Sequence, residues 1–522
     1  MSAGRRVLEK EVRFSHSLLW KAQRQYFDEK GVEAWSGTVP FFITSNPFIA
    51  KRYAEVLIRW VQDLLQHHQA DPHAPFYVVE LGTGSGRFSF MTMRYLFELQ
   101  KALSLKAKII YVMTDFTASN LSFWQEHEKL KPFVDQGLLD FAIYDLEEDL
   151  SLKLEVSGQI LKSGEVKNPI AVLGNYIFDT VSDDAFYVKD GQLFESLISV
   201  EAEEENVQEG MPLSLENLNC RFTRYPIAVD YYDNPLWNEI LSLYAKTLKN
   251  GSFLFPLGGL KSLEVFRSLS GGKMLLIATD KGYSFLHEME GKEDSKLVFH
   301  GSFSMTVNFH AIGEYFKILK GDVALQNERD SIKTCTYTMG VSLETLPETK
   351  QAIQSGFQNF GPGDYFSLHR NIREMKDPAI SLTTLLAQLA LSGWDPYVLS
   401  CFIPRVLAEL PKASKLLQIA FAKAADEIKA NIYLMPGVED YYFNVGLLYH
   451  NGGRYPEAIE CYQQSLASHG EKFSSYYNLG LCSYFHKDLQ GALEYFKKAI
   501  PFDTERRAKE WMNKVSSELN SA

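Results

Sequence analysis

From Phe76 onward the chain alternates short, unbroken apolar runs with helical stretches, and few folds accommodate that alternation. FYVVEL, RFSFMTMRYLFELQKAL, KIIYVMTD, a helix near Ala118 to Leu130, LLDFAIYDL and IAVLGNYIF follow one another in order. A strand that is apolar throughout is buried on both faces, and helices between such strands supply the cover. The pattern therefore predicts an α/β fold on a parallel sheet. GGKMLLIATDKGYS and FSMTVNF read as further strands, and ISVEAEEENVQEG as a solvated loop or hairpin edge.

Both ends of the chain read as helical. Residues 1–37 predict a helical segment with aromatic anchors at Phe14, Trp20, Tyr26, Phe27 and Trp35. Ser45 or Asn46 then caps a helix with Pro47 in its first turn, whose face of Ile49, Tyr53, Val56, Leu57 and Trp60 is predicted to be buried. After about residue 345 strand signals vanish. Asn444 and Asn478, Gly446 and Gly480, Tyr455 and Leu489, Ala458 and Ala492, and Tyr462 and Phe496 each recur at a 34-residue offset, the tetratricopeptide period. Two such repeats cannot bury their faces alone, so helices from about 380 to 430 and the final ERRAKEWMNKVSSEL are expected to complete the stack. The expected division is 1–37 (helical segment), 38–340 (α/β domain), 341–435 (helical connection) and 436–522 (repeats with a capping helix).

Composition narrows the function classes. A chain of 522 residues exceeds a single core. Its net charge of −12 argues against general nucleic-acid binding, which needs clustered cations to neutralise phosphates. Cys220, Cys335, Cys401, Cys461 and Cys482 are scattered without CxxC spacing, so no disulfide framework and no metal site is read, and His67, His68 and His310 receive no role. No secretory signal, organelle presequence or membrane-spanning stretch is read, and a cytoplasmic location is expected.

The sharpest local signal is Val78-Val79-Glu80-Leu81-Gly82-Thr83-Gly84-Ser85-Gly86-Arg87, a strand, a glycine-rich turn and a helix start. Glycines there let a ligand approach backbone N–H groups. A dinucleotide fingerprint would favour glycine at the sixth position of its motif, where this chain has Arg87. Glu80 would repel a pyrophosphate but suits a cationic amino group, which S-adenosylmethionine carries. The cofactor contacts expected are Glu80, Gly82, Thr83, Gly84 and Gly86 on the loop, Asp115 for the ribose hydroxyls, and Asp145 with Leu146 for the adenine amino end. Phe116 is expected against adenine and Tyr176 as a wall. The reading requires the loop to stand open at the carboxyl edge of the sheet.

The run Leu173-Gly174-Asn175-Tyr176-Ile177-Phe178-Asp179-Thr180-Val181-Ser182 resembles the ANE-hydrophobic-hydrophobic-DALP signature of the MidA-like methyltransferases, a family that includes the mitochondrial complex I assembly factor that methylates a protein arginine. Phe42-Ile43-Thr44-Ser45-Asn46-Pro47 resembles its DFxTSPE segment, Asp280-Lys281-Gly282-Tyr283 its DYGY, and Val307-Asn308-Phe309 its VDF strand. Tyr176 stands where the family has Glu, and Ser182 where it has Pro. The resemblance covers about residues 38–330, leaves the tetratricopeptide tail outside the core family, and implies a Rossmann-like methyltransferase sheet using S-adenosylmethionine.

Asp179 is the expected catalytic carboxylate, orienting an arginine acceptor. Asn175 is expected to orient Asp179, to hold a cofactor or substrate group, or to cap the turn. Asp183 and Asp184 are further candidates for the carboxylate role of Asp179, with solvated loop acids as the favoured reading. The expected function is methylation of a protein recruited by the tetratricopeptide groove. Small-molecule methylation and a non-catalytic interaction scaffold are the alternatives.

Overall fold

The computed structural model describes residues 5–35, 42–43, 45–203, 215, 218–326, 332–374 and 380–521; Thr44 and the stretch 204–210 lie outside these residues. The chain divides into two compact units, one running to Ser367 and the other from Leu368, which also takes in Asn46–Phe48.

The first unit is built on a seven-stranded sheet. Its strands are β1 (Phe76–Leu81), β2 (Ile109–Asp115), β3 (Leu139–Ile143), β4 (Ile170–Asn175), β5 (Met274–Asp280), β6 (Asp322–Ala324) and β7 (Lys333–Met339). They lie in the order β6-β7-β5-β4-β1-β2-β3. The five from β3 to β5 are parallel. β7 enters antiparallel between β5 and β6. Every residue of β1, β5 and β7 is buried, as expected for strands covered on both faces. Starting from β1 the chain winds outward through β2 and β3, then returns to β1's other side for β4 and β5. The order therefore reverses between β1 and β4, and ligands of open α/β sheets bind in the crevice beyond the carboxyl ends at such a point.

A second, antiparallel sheet joins Arg5–Val12, Asp184–Lys189, Gln192–Glu203, Leu218–Pro226 and Asn250–Phe255. It corrects the helical reading of residues 1–37. Arg5–Val12 is a strand on Gln192–Glu203, with Arg5 opposite Glu203 and two register shifts along its length. Its own sequence has little preference, and the open edge of the long partner strand decides its state. Helix follows only at α1 (Leu18–Lys30), capped by the Ser17 side chain, and a tight turn from Gly31 to Trp35 ends the segment.

The helix α2 (Pro47–Gln66) buries the expected face, with Ile49, Tyr53, Val56, Leu57 and Trp60 at 1% exposure or less. α3 (Arg87–Ala102) and α4 (Ala118–Glu126) follow β1 and β2. The boundary expected at 340 falls later. Residues 343–359 stay with the first unit because the buried Asp63 carboxylate of α2 accepts from both the Thr349 amide (2.8 Å) and its hydroxyl (2.7 Å), and Phe357 packs against Tyr53.

The second unit is all-helical. Tyr441–Gly452, Tyr455–His469, Phe473–Phe485 and Leu489–Ala499 form two helical pairs. In both pairs a glycine meets an aromatic ring: a Cβ on Gly446 would lie 2.7 Å from Tyr462, and one on Gly480 2.6 Å from Phe496. Ala458 and Ala492 are fully buried. The closing helix Arg507–Ser521 stacks Trp511 on Phe496, and the helices Leu382–Leu391, Pro396–Glu409 and Lys415–Ala430 extend the same core at the other end. Gly446→Val overpacks this contact by about 2 kcal/mol. Amide exchange in Tyr441–Gly452 and Tyr455–His469 should then rise roughly 30-fold, a factor of ten per 1.4 kcal/mol. Unchanged exchange would contradict the packing.

Candidate active site

The loop after β1 turns on three glycines in the left-handed region, Gly82 (φ 56°), Gly84 (φ 60°) and Gly86 (φ 80°). A side chain would be strained at each. Thr83 ties the loop to β2, its N–H donating to the Thr114 carbonyl (2.8 Å) and its hydroxyl accepting from the Thr114 N–H (3.2 Å). Trp124 of α4 donates to the Gly84 carbonyl (2.9 Å). Arg87, buried at the start of α3, donates to the Ser45 carbonyl. Backbone and tertiary bonds thus hold the loop before any ligand arrives.

Glu80 lies beneath it, 4% exposed. Ser89 and Tyr111 both donate to its Oε2, the latter at 2.6 Å. Burial pushes its carboxyl up to about 7 against the opposing pull of those two bonds. Glu80 also lines a small cavity, about 40 Å³, with Gly82, Thr83, Asn175, Tyr176 and Trp35. The expected openness of the loop is not met here. Trp35 lies on Gly84, so that a Cβ there would fall 2.7 Å from the indole, and Ile177 lies on Gly82 at 2.3 Å from such an atom.

The other two strand-end acids are engaged as well. Asp115 is buried and braces the loop, accepting from the Gly84 N–H (3.0 Å), the Thr117 N–H (3.1 Å) and the Thr117 hydroxyl (3.0 Å). Burial raises its carboxyl, and these bonds oppose the rise. Asp145 accepts from the Glu147 N–H (3.0 Å) and forms an ion pair with Arg24 of α1. The same Arg24 guanidinium lies over the Phe116 ring, 4.7 Å from its centre. Phe116, Asp145 and Leu146 line a second cavity of about 560 Å³ that reaches Ile177, Thr180 and Lys261.

Beyond β4 and β5 a group of acids is buried. Asn175 Oδ1 accepts from the Tyr53 hydroxyl (2.5 Å), which also bonds Thr279 (2.7 Å). Asn175 Nδ2, the Tyr176 hydroxyl, Asp179 Oδ1, Asp183 Oδ1 and Asp280 Oδ2 have no hydrogen-bond partner in the protein. Asp179 and Asp280 are neighbours. Burial raises both carboxyls, and the neighbouring Asp179 raises Asp280 further. Tyr176 adopts φ 49°, a strained value for a side chain other than glycine.

Asp183 and Asp184 are not solvated loop acids. Asp184 is fully buried and accepts from Arg13 (2.8 Å), the Ser15 N–H (3.3 Å) and Tyr232 (2.7 Å), while Asp183 is 2% exposed with its carboxyl raised by burial. The N-terminal Arg13 and Ser15 are long-range donors to Asp184, and no local pattern announces either acid. Asp280 could have been found in the sequence, since it ends a parallel strand as Asp115 does. Trp35 and Arg24 carry no such signal.

Residues 437–505 match the tetratricopeptide repeat model. No curated protein matches the chain. Two crystal structures from Burkholderia thailandensis are similar to it. One is an uncharacterized superfamily protein, 12% identical with a TM-score of 0.39, matched over 64% of this chain and 90% of that one. The other is a candidate methyl transferase of the same superfamily bound to S-adenosyl-homocysteine, 13% identical with a TM-score of 0.33, over 54% of this chain and 65% of that one. The chain combines an α/β unit on a seven-stranded sheet with an all-helical unit that contains the tetratricopeptide match. Among the described residues no helix is long and apolar enough to cross a membrane, and no group of acids, histidines and cysteines could hold a metal.

The raised Glu80 carboxyl has a thermodynamic consequence. The native state keeps this proton up to about pH 7, whereas the unfolded chain releases it near 4.5, so raising the pH across that window favours unfolding. The loss attributable to Glu80 is about 3 kcal/mol, at 1.36 kcal/mol for each pH unit. Urea unfolding of Glu80→Gln between pH 5 and 8 should therefore show a shallower decline than the parent protein. Equal slopes would contradict the burial assigned to Glu80.

Proposed function

We propose that the chain is an S-adenosylmethionine-dependent methyltransferase of the MidA-like kind, acting on a protein side chain, with arginine favoured, that the tetratricopeptide repeats recruit. The observation that carries this reading is the set of partnerless polar atoms on Asn175, Tyr176, Asp179, Asp183 and Asp280 beside a glycine-rich loop at the switch point of the sheet. Buried polar atoms in folded proteins are satisfied, so a group of them needs partners from a ligand or from solvent. Acids predominate here, and a cation with several donors answers them; a guanidinium offers five.

The residues suit the cofactor in kind. Gly82, Thr83, Gly84 and Gly86 offer backbone, Glu80 an acceptor for a cationic amino group, and Asn175 an amide whose Nδ2 is unused. Asp115 would serve the ribose hydroxyls by exchanging its present donors. Phe116, Asp145 and Leu146 would take the adenine end. When bound, the cofactor supplies an electrophilic methyl group. The work left to the protein is to hold the acceptor nitrogen in line, exclude water and remove a proton. Asp179 and Asp280, neighbouring carboxyls that burial raises, orient the acceptor, and its proton passes to an Asp179 oxygen.

A second reading, a non-catalytic scaffold, draws support from Trp35 on Gly84 and from Tyr176 and Ser182 at positions where the family has Glu and Pro. Incubating the full chain with radiolabelled S-adenosylmethionine and a cell lysate separates the readings. Label in methylated arginine of a protein is expected. Label confined to small extractable products indicates small-molecule methylation, and cofactor binding without any transfer indicates the scaffold. Asp179→Asn should lower transfer about 100-fold, the scale for removing one electrostatic group at a reacting centre. A rate within twofold of the parent would remove Asp179 from the site.

A further inference from the structure

The N-terminal segment occupies both ends of the crevice that the cofactor reading assigns to S-adenosylmethionine. At the strand-end acids, the planar, cationic Arg24 guanidinium lies over the Phe116 ring, 4.7 Å from its centre, and donates to Asp145. Those are the two contacts, stacking and an amino donor to a carboxylate, that an adenine ring would make there. At the glycine loop, the Trp35 indole covers Gly84 closely enough to leave a cavity of only about 40 Å³, roughly the room for a single water. Between them, the turn from Gly31 to Trp35 is seated on α4. Gly31 has φ 48°, and a Cβ there would lie 2.6 Å from the Ser119 hydroxyl, so only glycine allows this close approach.

We propose that Arg24 and Trp35 form a built-in competitor: the segment from α1 to Trp35 imitates the two ends of the cofactor and must leave before the cofactor can enter. This rests on the cofactor reading above. A ligand that binds only the open form has its affinity reduced by the fraction of molecules that are open, so loosening the segment raises affinity without any new contact. Arg24 is held at a half-exposed ion pair, 45% exposed on its own side, a modest interaction that a partner can outbid. The segment also enters the second sheet through Arg5–Val12, so a partner binding that edge would shift the same equilibrium.

Calorimetric titration of the full chain with S-adenosyl-homocysteine tests the proposal. Trp35→Ala should bind about tenfold tighter and Arg24→Ala several-fold tighter than the parent, as expected if the closed form outweighs the open one by about ten to one. Gly31→Ala, which faces no ligand contact, should tighten binding in the same direction by unseating the turn. Gly84→Asp should bind nothing. Parent binding that is unchanged or weakened in Trp35→Ala and Gly31→Ala would overturn the competitor and leave the cofactor reading standing. If the parent, Trp35→Ala and Gly31→Ala all fail to bind while circular dichroism shows them folded, the cofactor reading falls and the competitor with it.

Discussion

The parallel pairing of β1 with β4 is the constraint on which the rest of the site depends. Leu81 lies opposite Gly174, so the glycine-rich loop and Asn175 leave the sheet side by side at the point where the strand order reverses. A slip of one residue would turn every side chain of these strands to the other face and take the Glu80 carboxyl away from Ser89 and Tyr111. Gly174 itself is crowded, because a Cβ there would meet Phe178 at 2.8 Å. The chain after β4 is thereby folded back over the sheet, bringing Ile177 over Gly82 and Asp179 beside Asp280.

Around this crossing, carboxyl groups are held where water is scarce. Glu80 is stabilised by Ser89 and Tyr111, Asp115 by the loop it braces, and Asp184 by Arg13 and Tyr232. These acids have donors within the protein. Asp179, Asp183 and Asp280 keep oxygens without donors, and burial of such atoms costs roughly 1 to 3 kcal/mol each. Asp179 and Asp183 follow β4 in the chain and Asp280 ends β5, and Asp63 Oδ1 on α2 is partnerless as well.

Much of the fold was legible in the sequence. Apolar runs such as Phe76–Leu81 and Met274–Asp280 are strands because burial on both faces permits no alternation, and Gly446 with Tyr462 and Gly480 with Phe496 revealed the helical repeat. The glycine turn was readable because positive φ is a local demand. What stayed hidden depends on contacts across long stretches of chain. Arg5–Val12 is a strand only because Gln192–Glu203 offers an edge; Asp184 takes its donors from Arg13 and Ser15 of the N-terminal segment; and residues 343–359 join the first unit through Asp63. Trp35 and Arg24 belong to this class too. Trp35 read as an ordinary aromatic anchor and Arg24 drew no reading, and the surfaces they cover lie more than forty residues away.

Hydrogen–deuterium exchange of the full chain, with and without S-adenosyl-homocysteine, bears most directly on whether the crossing of β1 and β4 is a cofactor cradle. Protection is predicted at residues 82–86, 115–117 and 145–147, together with faster exchange at residues 31–35 as the turn is displaced. No change at residues 82–86 with saturating ligand, or protection confined to other parts of the chain, would contradict it.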